Sequence, residues 1–67
     1  MHVDNLKVGQ IYYHSGERVR ITATRHSKDH ARYCFIIYSF VDKSAWGAAF
    51  THINNTGFVS APKVQAV

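Results

Sequence analysis

A single cysteine, Cys34, in 67 residues excludes an intrachain disulfide framework, the usual staple of secreted domains this small. A cytoplasmic, reducing location is expected. No stretch approaches the roughly 20 consecutive apolar residues that cross a bilayer. The start Met1-His2-Val3-Asp4-Asn5 lacks the cationic and apolar regions of a signal peptide, so the mature chain is expected to begin there and no membrane partner is expected. Acidic residues are scarce as well: Asp4, Glu17, Asp29 and Asp42 stand against eight lysines and arginines, giving a formal charge of +4. That balance favours polyanions or acidic protein surfaces as partners. The four acids are scattered among turns and the terminus, so no carboxylate pair presents itself for acid-base chemistry. There is no glycine-rich phosphate loop, internal repeat, low-complexity tract or linker. Residues 1–67 are expected to form one domain with an ordered core over about 6–60. The tail 61–67, which holds the only proline, Pro62, shows no period and is expected to fray.

What the chain does have is strand pattern. Ile11 and Tyr13 alternate with Tyr12 and His14, and Ser15-Gly16-Glu17 supplies the glycine of a tight connection. From Arg18 to Arg25, Val19, Ile21 and Ala23 alternate with Arg18, Arg20, Thr22 and Thr24, which predicts aliphatics toward a core and arginines toward water. His26-Ser27-Lys28-Asp29-His30 is turn-like. The run Tyr33-Cys34-Phe35-Ile36-Ile37-Tyr38-Ser39-Phe40-Val41 then reads as a strand apolar on both faces. Such a strand must be covered twice, or reserve one face for another molecule. After the turn Asp42-Lys43-Ser44, Trp46, Ala48 and Phe50 point one way and Ala45, Gly47 and Ala49 the other, where small residues permit close approach of a backbone. Phe58-Val59 closes the pattern. Five short strands without an amphipathic helix predict an all-β domain, a single small SH3-like barrel or strongly bent antiparallel sheet. In that arrangement Trp46 and Phe50 are expected in the core, across the sheet from Val19 and Ile21.

Tyr12-Tyr13-His14-Ser15-Gly16, Val19-Arg20-Ile21, Ala23-Thr24-Arg25-His26-Ser27 and the later Trp46 and Phe50 resemble a small bacterial domain family of unknown function. That family carries a tyrosine and histidine before a glycine turn, an alanine-x-histidine-serine element and a tryptophan before an arginine-proline pair. Here the histidine comes one residue late, and Gly47-Ala48 follows Trp46. The resemblance covers about residues 9–50 and implies a compact β-fold with no known activity.

Several constellations bear on chemistry. His26-x-x-x-His30-x-x-x-Cys34 has metal-ligand residue types, but the sequence around it is not helical and a structural site would still need a fourth ligand. Neither a metal site nor any cofactor is expected. Cys34, flanked by Tyr33 and Phe35, is expected to be a buried, inert thiol rather than a nucleophile, so no catalytic residue is assigned and the protein is expected not to be an enzyme. Arg18, Arg20, Arg25, Lys28 and Arg32 fall in one short stretch, with Tyr12 and His14 expected beside them on the neighbouring strand. These residues, together with Tyr38 and Phe40 from the apolar face Cys34, Ile36, Tyr38 and Phe40, are the candidate binding residues. The composition suits a protein-binding regulator or inhibitor that occupies a partner's surface, of a size fitting a phage or other mobile element. The alternative is a nucleic-acid-binding barrel that contacts phosphates through the basic hairpin while Tyr12, Tyr38 or Trp46 stack on bases. A homodimer stays open.

Overall fold

The computed structural model describes residues 1–60, and the expected fraying of 61–67 lies outside them. A short 3-10 turn, Val3–Asn5, precedes five strands: β1 Ile11–His14, β2 Glu17–His26, β3 Tyr33–Phe40, β4 Trp46–His52 and β5 Phe58–Ser60. The turn between β1 and β2 follows from its local chemistry. Ser15 and Gly16 both adopt positive φ, 52° and 79°, between the paired residues His14 and Glu17. This left-handed pair matches the twist of the two strands it joins.

The strands form one antiparallel sheet in the order β4-β3-β2-β1-β5. The expectation of an SH3-like barrel or a strongly bent sheet is corrected here: the sheet is open. β4 and β5 are its two edges and do not meet. β1, four residues long, pairs with the N-terminal half of β2, and the three-residue β5 pairs with β1 alone. What would be the second wall of a barrel is supplied instead by the N-terminal segment. Its Val3 amide donates to the Ile53 carbonyl at 2.8 Å, and the Thr56 amide and hydroxyl both donate to the Met1 carbonyl, at 3.1 and 3.0 Å. Further along, the Lys7 amide donates to the Tyr12 hydroxyl at 2.9 Å, and that hydroxyl in turn donates to the Asn5 carbonyl at 3.4 Å.

This segment covers one face only. Val3 and Leu6 pack there with Tyr12, Val19, Ile21, Cys34, Ile36, Tyr38 and Phe58, all buried. Cys34 lies inside the sheet, its sulfur 3.6 Å from the Thr51 hydroxyl. The β3–β4 register explains the packing: Tyr38 stands opposite Gly47 and Ile36 opposite Ala49. A β-carbon on Gly47 would lie 2.8 Å from the Tyr38 hydroxyl oxygen and 2.9 Å from its Cζ, so glycine is what lets the tyrosine ring lie across β4. Gly47 and Ala49 of β4 therefore face the core, and the aromatics of β4 do not. The expected burial of Trp46 and Phe50 against Val19 and Ile21 is overturned: β4 pairs with β3 alone, and Trp46 is 73% exposed.

An irregularity in β2 changes the other face. The pairing with β3 shifts between Ile21, opposite Tyr38, and Ala23, opposite Ile37. An extra residue inserted in one strand reverses the side on which its later residues point. Val19 and Ile21 face the core, but beyond Thr22 the odd-numbered residues change sides. Ala23, expected in the core, sits opposite Ile37, and Arg25 sits opposite Phe35. The bulge thus puts Arg25 on the same face as Arg18 and Arg20, which strict alternation would have prevented.

Candidate functional site

The uncovered face of the sheet is the candidate site. Its composition follows from the registers. One row across the strands runs Ile11, Arg20, Ser39, Trp46. The next runs Ala23, Ile37, Ala48, and a third runs Arg25, Phe35, Phe50; Tyr33 and His52 pair at the end. Cations therefore line β2, and aromatic rings line β3 and β4.

The rings form a continuous group. Tyr33 and Phe50 stack with centroids 5.1 Å apart and planes within 13°, and Phe35 meets Phe50 at 4.6 Å. His30, from the β2–β3 connection, packs its edge near Phe50 at 6.1 Å, and His52 approaches Tyr33 at 5.4 Å. Phe35 and Phe50 nevertheless remain 43% and 48% exposed. Aromatic rings that pack on one another yet keep half their surface in water are held in place by the sheet without being consumed by the core. Next to them, Arg25, His26, Lys28, His30, Phe35 and Phe50 line a shallow groove of about 590 Å³, with Ser27 and Asp29 completing its wall.

The charges sort by position. Arg18 is bound to Asp42 through two hydrogen bonds, 2.6 and 3.2 Å. The hydrogen bond and the opposite charge raise the Arg18 pKa above its ordinary value, and the same hydrogen bond lowers that of Asp42. Lys43 donates to Glu17 at 3.0 Å and lies 4.4 Å over the Phe40 ring. These two pairs flank a second depression of about 310 Å³, whose charges are thereby satisfied among themselves. Arg20, Arg25, Lys28 and Arg32 are in no ion pair among the described residues. Of the acids, Asp4 contacts His2, Glu17 and Asp42 are paired as above, and Asp29 alone lines the groove.

The structure thus divides the residues expected to bind. Arg18, Arg20 and Arg25 share the open face, with Lys28 and Arg32 in the adjoining connection. Tyr12 and His14 lie on the strand next to the arginines, as expected, but point to the opposite face. Tyr12 pairs with Val19 on the covered face and is 2% exposed. His14 stacks on Phe58 at 4.2 Å, with its Nδ1 buried and without a hydrogen-bond partner among the described residues. Tyr38 is buried across Gly47, and Phe40 is half-buried against it at 5.5 Å. The face Cys34, Ile36, Tyr38, Phe40 is therefore the core, and the opposite face of β3 is the free one. Tyr33, Phe35 and Phe50 were not among the expected binding residues. The signal that singles them out is Gly47 and Ala49 on one side of β4, small residues that leave room for the bulky Tyr38 and Ile36 and so turn Phe50 and its neighbours to the other side.

His26 and Cys34 are cross-strand partners, but Cys34 is buried and His30 lies in the connection beside the aromatic group. No three His, Cys, Asp or Glu side chains gather among the described residues. Among the described residues no helix is long and apolar enough to cross a membrane.

The expected resemblance to a small bacterial domain family is corrected as well: no protein-family model, curated protein or solved structure matches the chain.

Proposed function

We propose that this protein is a non-enzymatic binding module whose working surface is the open face of its sheet. The observation that carries the reading is the stacked group Tyr33, Phe35 and Phe50, half-exposed on a face that the N-terminal segment leaves bare. Arginine and tyrosine or tryptophan side by side are the residue types that anchor partners, and the row Arg20, Ser39, Trp46 repeats the combination farther along the strands. Exposed aromatics on a rigid sheet lose little conformational freedom on binding, which favours association. The module acts by occupying its partner's surface.

Immobilised protein should retain a partner from cell lysate, and the double variant Phe35→Ser, Phe50→Ser should lose it while keeping a cooperative thermal transition. Equal retention by the folded double variant and the wild type would remove the open face from consideration.

A further inference from the structure

We infer that the occupant of the open face is a single-stranded nucleic acid, held by bases stacked on Phe35, Phe50 and Tyr33 and by phosphates along the β2 cations. The inference rests on the open-face reading and adds the chemistry of the partner. Three features of the face carry it.

The first is the separation of charge from ring. Arg20 and Arg25 lie on β2, with Lys28 in the connection that follows, whereas Phe35, Phe50, Tyr33 and Trp46 lie on β3 and β4. A single strand has the matching layout, with a phosphate backbone along one side and flat bases along the other. Grooves that bind single strands without strict sequence preference join a cationic track to aromatic platforms in this way, and open sheets stack two or three bases on exposed rings.

The second is length. From Trp46 to His52 the strand advances about 20 Å, and Trp46 stands about 13 Å from Phe50 along it. That accommodates a short single strand, at the lower end of sites of about 4 nucleotides and more. A duplex lacks free base faces to stack on the exposed rings.

The third is the sign of the unpaired charge. Glu17 and Asp42 neutralise Lys43 and Arg18 away from the rings; among the described residues this leaves Arg20, Arg25, Lys28 and Arg32 outside any ion pair, with Asp29 the one acid beside the groove. Charged residues other than arginine are depleted at the core of a protein interface, and four unpaired cations together exceed what such a core uses. A polyanion uses them.

The test is a fluorescence-anisotropy titration of the full chain with labelled single-stranded DNA and RNA of about ten nucleotides, and with a duplex of the same sequence. Saturable binding that prefers the single strands is expected. Its log affinity should fall with log salt at a slope of about −2 to −3, from four cations at about 0.7 each. Phe35→Ala with Phe50→Ala should weaken binding at least about tenfold, and Arg25→Gln should reduce the slope by about 0.7, both without loss of the folded state. Absence of saturable single-strand binding, or affinity indifferent to Phe35 and Phe50, overturns the inference. If the lysate partner survives nuclease treatment and still depends on Phe35 and Phe50, the occupant is a protein: the open-face reading stands and this inference falls. If the chain retains neither oligonucleotide nor lysate partner, both fall together.

Discussion

On the covered face, β3 presents Ile36 and Tyr38 and β4 answers with Ala49 and Gly47. On the open face, β3 presents Tyr33 and Phe35 and β4 answers with His52 and Phe50. Large residues opposite small ones make a level surface that a few residues of the N-terminal segment can seal. Large residues opposite large ones stand proud of the sheet, and their rings satisfy part of their surface by stacking on each other. The same two strands therefore carry two kinds of apolar surface. One is closed by Val3 and Leu6, and the other remains available. Charge follows the same division, because the bulge at Thr22 directs Arg25 to the side already occupied by Arg18 and Arg20.

The comparison breaks most sharply at neighbouring positions of β3. Ile36→Ala, in the covered face, should cost about 2 to 5 kcal/mol, a large part of the ~5 kcal/mol at the lower end of domain stabilities. Phe35→Ala, one residue away on the open face, should cost about 1 kcal/mol, the scale of one aromatic pair. Denaturant midpoints of the two variants compare the faces directly, and equal losses would contradict the division. Next in size, Gly47→Ala forces the Tyr38 ring aside and should cost about 1 to 3 kcal/mol through overpacking. By the same measurement, an unchanged midpoint would show that the ring does not need its place across β4. Trp46→Ala should stay within about 0.5 kcal/mol of the wild type, as exposed substitutions do, with the cooperative thermal transition retained. A collapse of that transition would move Trp46 into the core.

The smallest effect concerns the ion pair at the edge of the open face. Because Arg18 lowers the Asp42 pKa, the pair stabilises the fold above the unfolded carboxyl value of about 3.9. That contribution is lost as pH falls through the lower folded value. Asp42→Asn should therefore melt slightly below the wild type at neutral pH, and the two melting curves should converge in acid. Asp42 is largely in water and Arg18 partly so, which keeps the gap small. A gap that widens as pH falls would contradict the assignment.

The strands were legible in the sequence because their signals are local: alternation through Arg18-Val19-Arg20-Ile21, the Ser15-Gly16 turn and the polar stretch after His26. Closure was not legible. Alternation states which residues share a face, but whether β5 reaches β4 depends on strand lengths and on what else is at hand to cover the core. The N-terminal 3-10 turn that supplies the cover has no pattern of its own beyond Val3 and Leu6. Which face of β3 is buried was also hidden, since Cys34, Ile36 and Tyr38 on one side and Tyr33, Phe35 and Ile37 on the other are almost equally apolar. The decision lies in β4, where Gly47 leaves room for Tyr38 and Phe50 leaves none for Phe35. The bulge concealed the rest: a single extra residue at Thr22 leaves no compositional trace yet reverses Ala23 and Arg25.

The central claim, that one face of the sheet folds the protein and the other binds its partner, is tested most directly by mapping NMR chemical shifts during titration with a single-stranded oligonucleotide. The account predicts that the ring resonances of Tyr33, Phe35 and Phe50 and the amides flanking Arg25 move together along one saturable isotherm, while Tyr12, Tyr38 and Phe58 stay in place. Shifts confined to the covered face, or to the paired charges around Arg18 and Asp42, would contradict it.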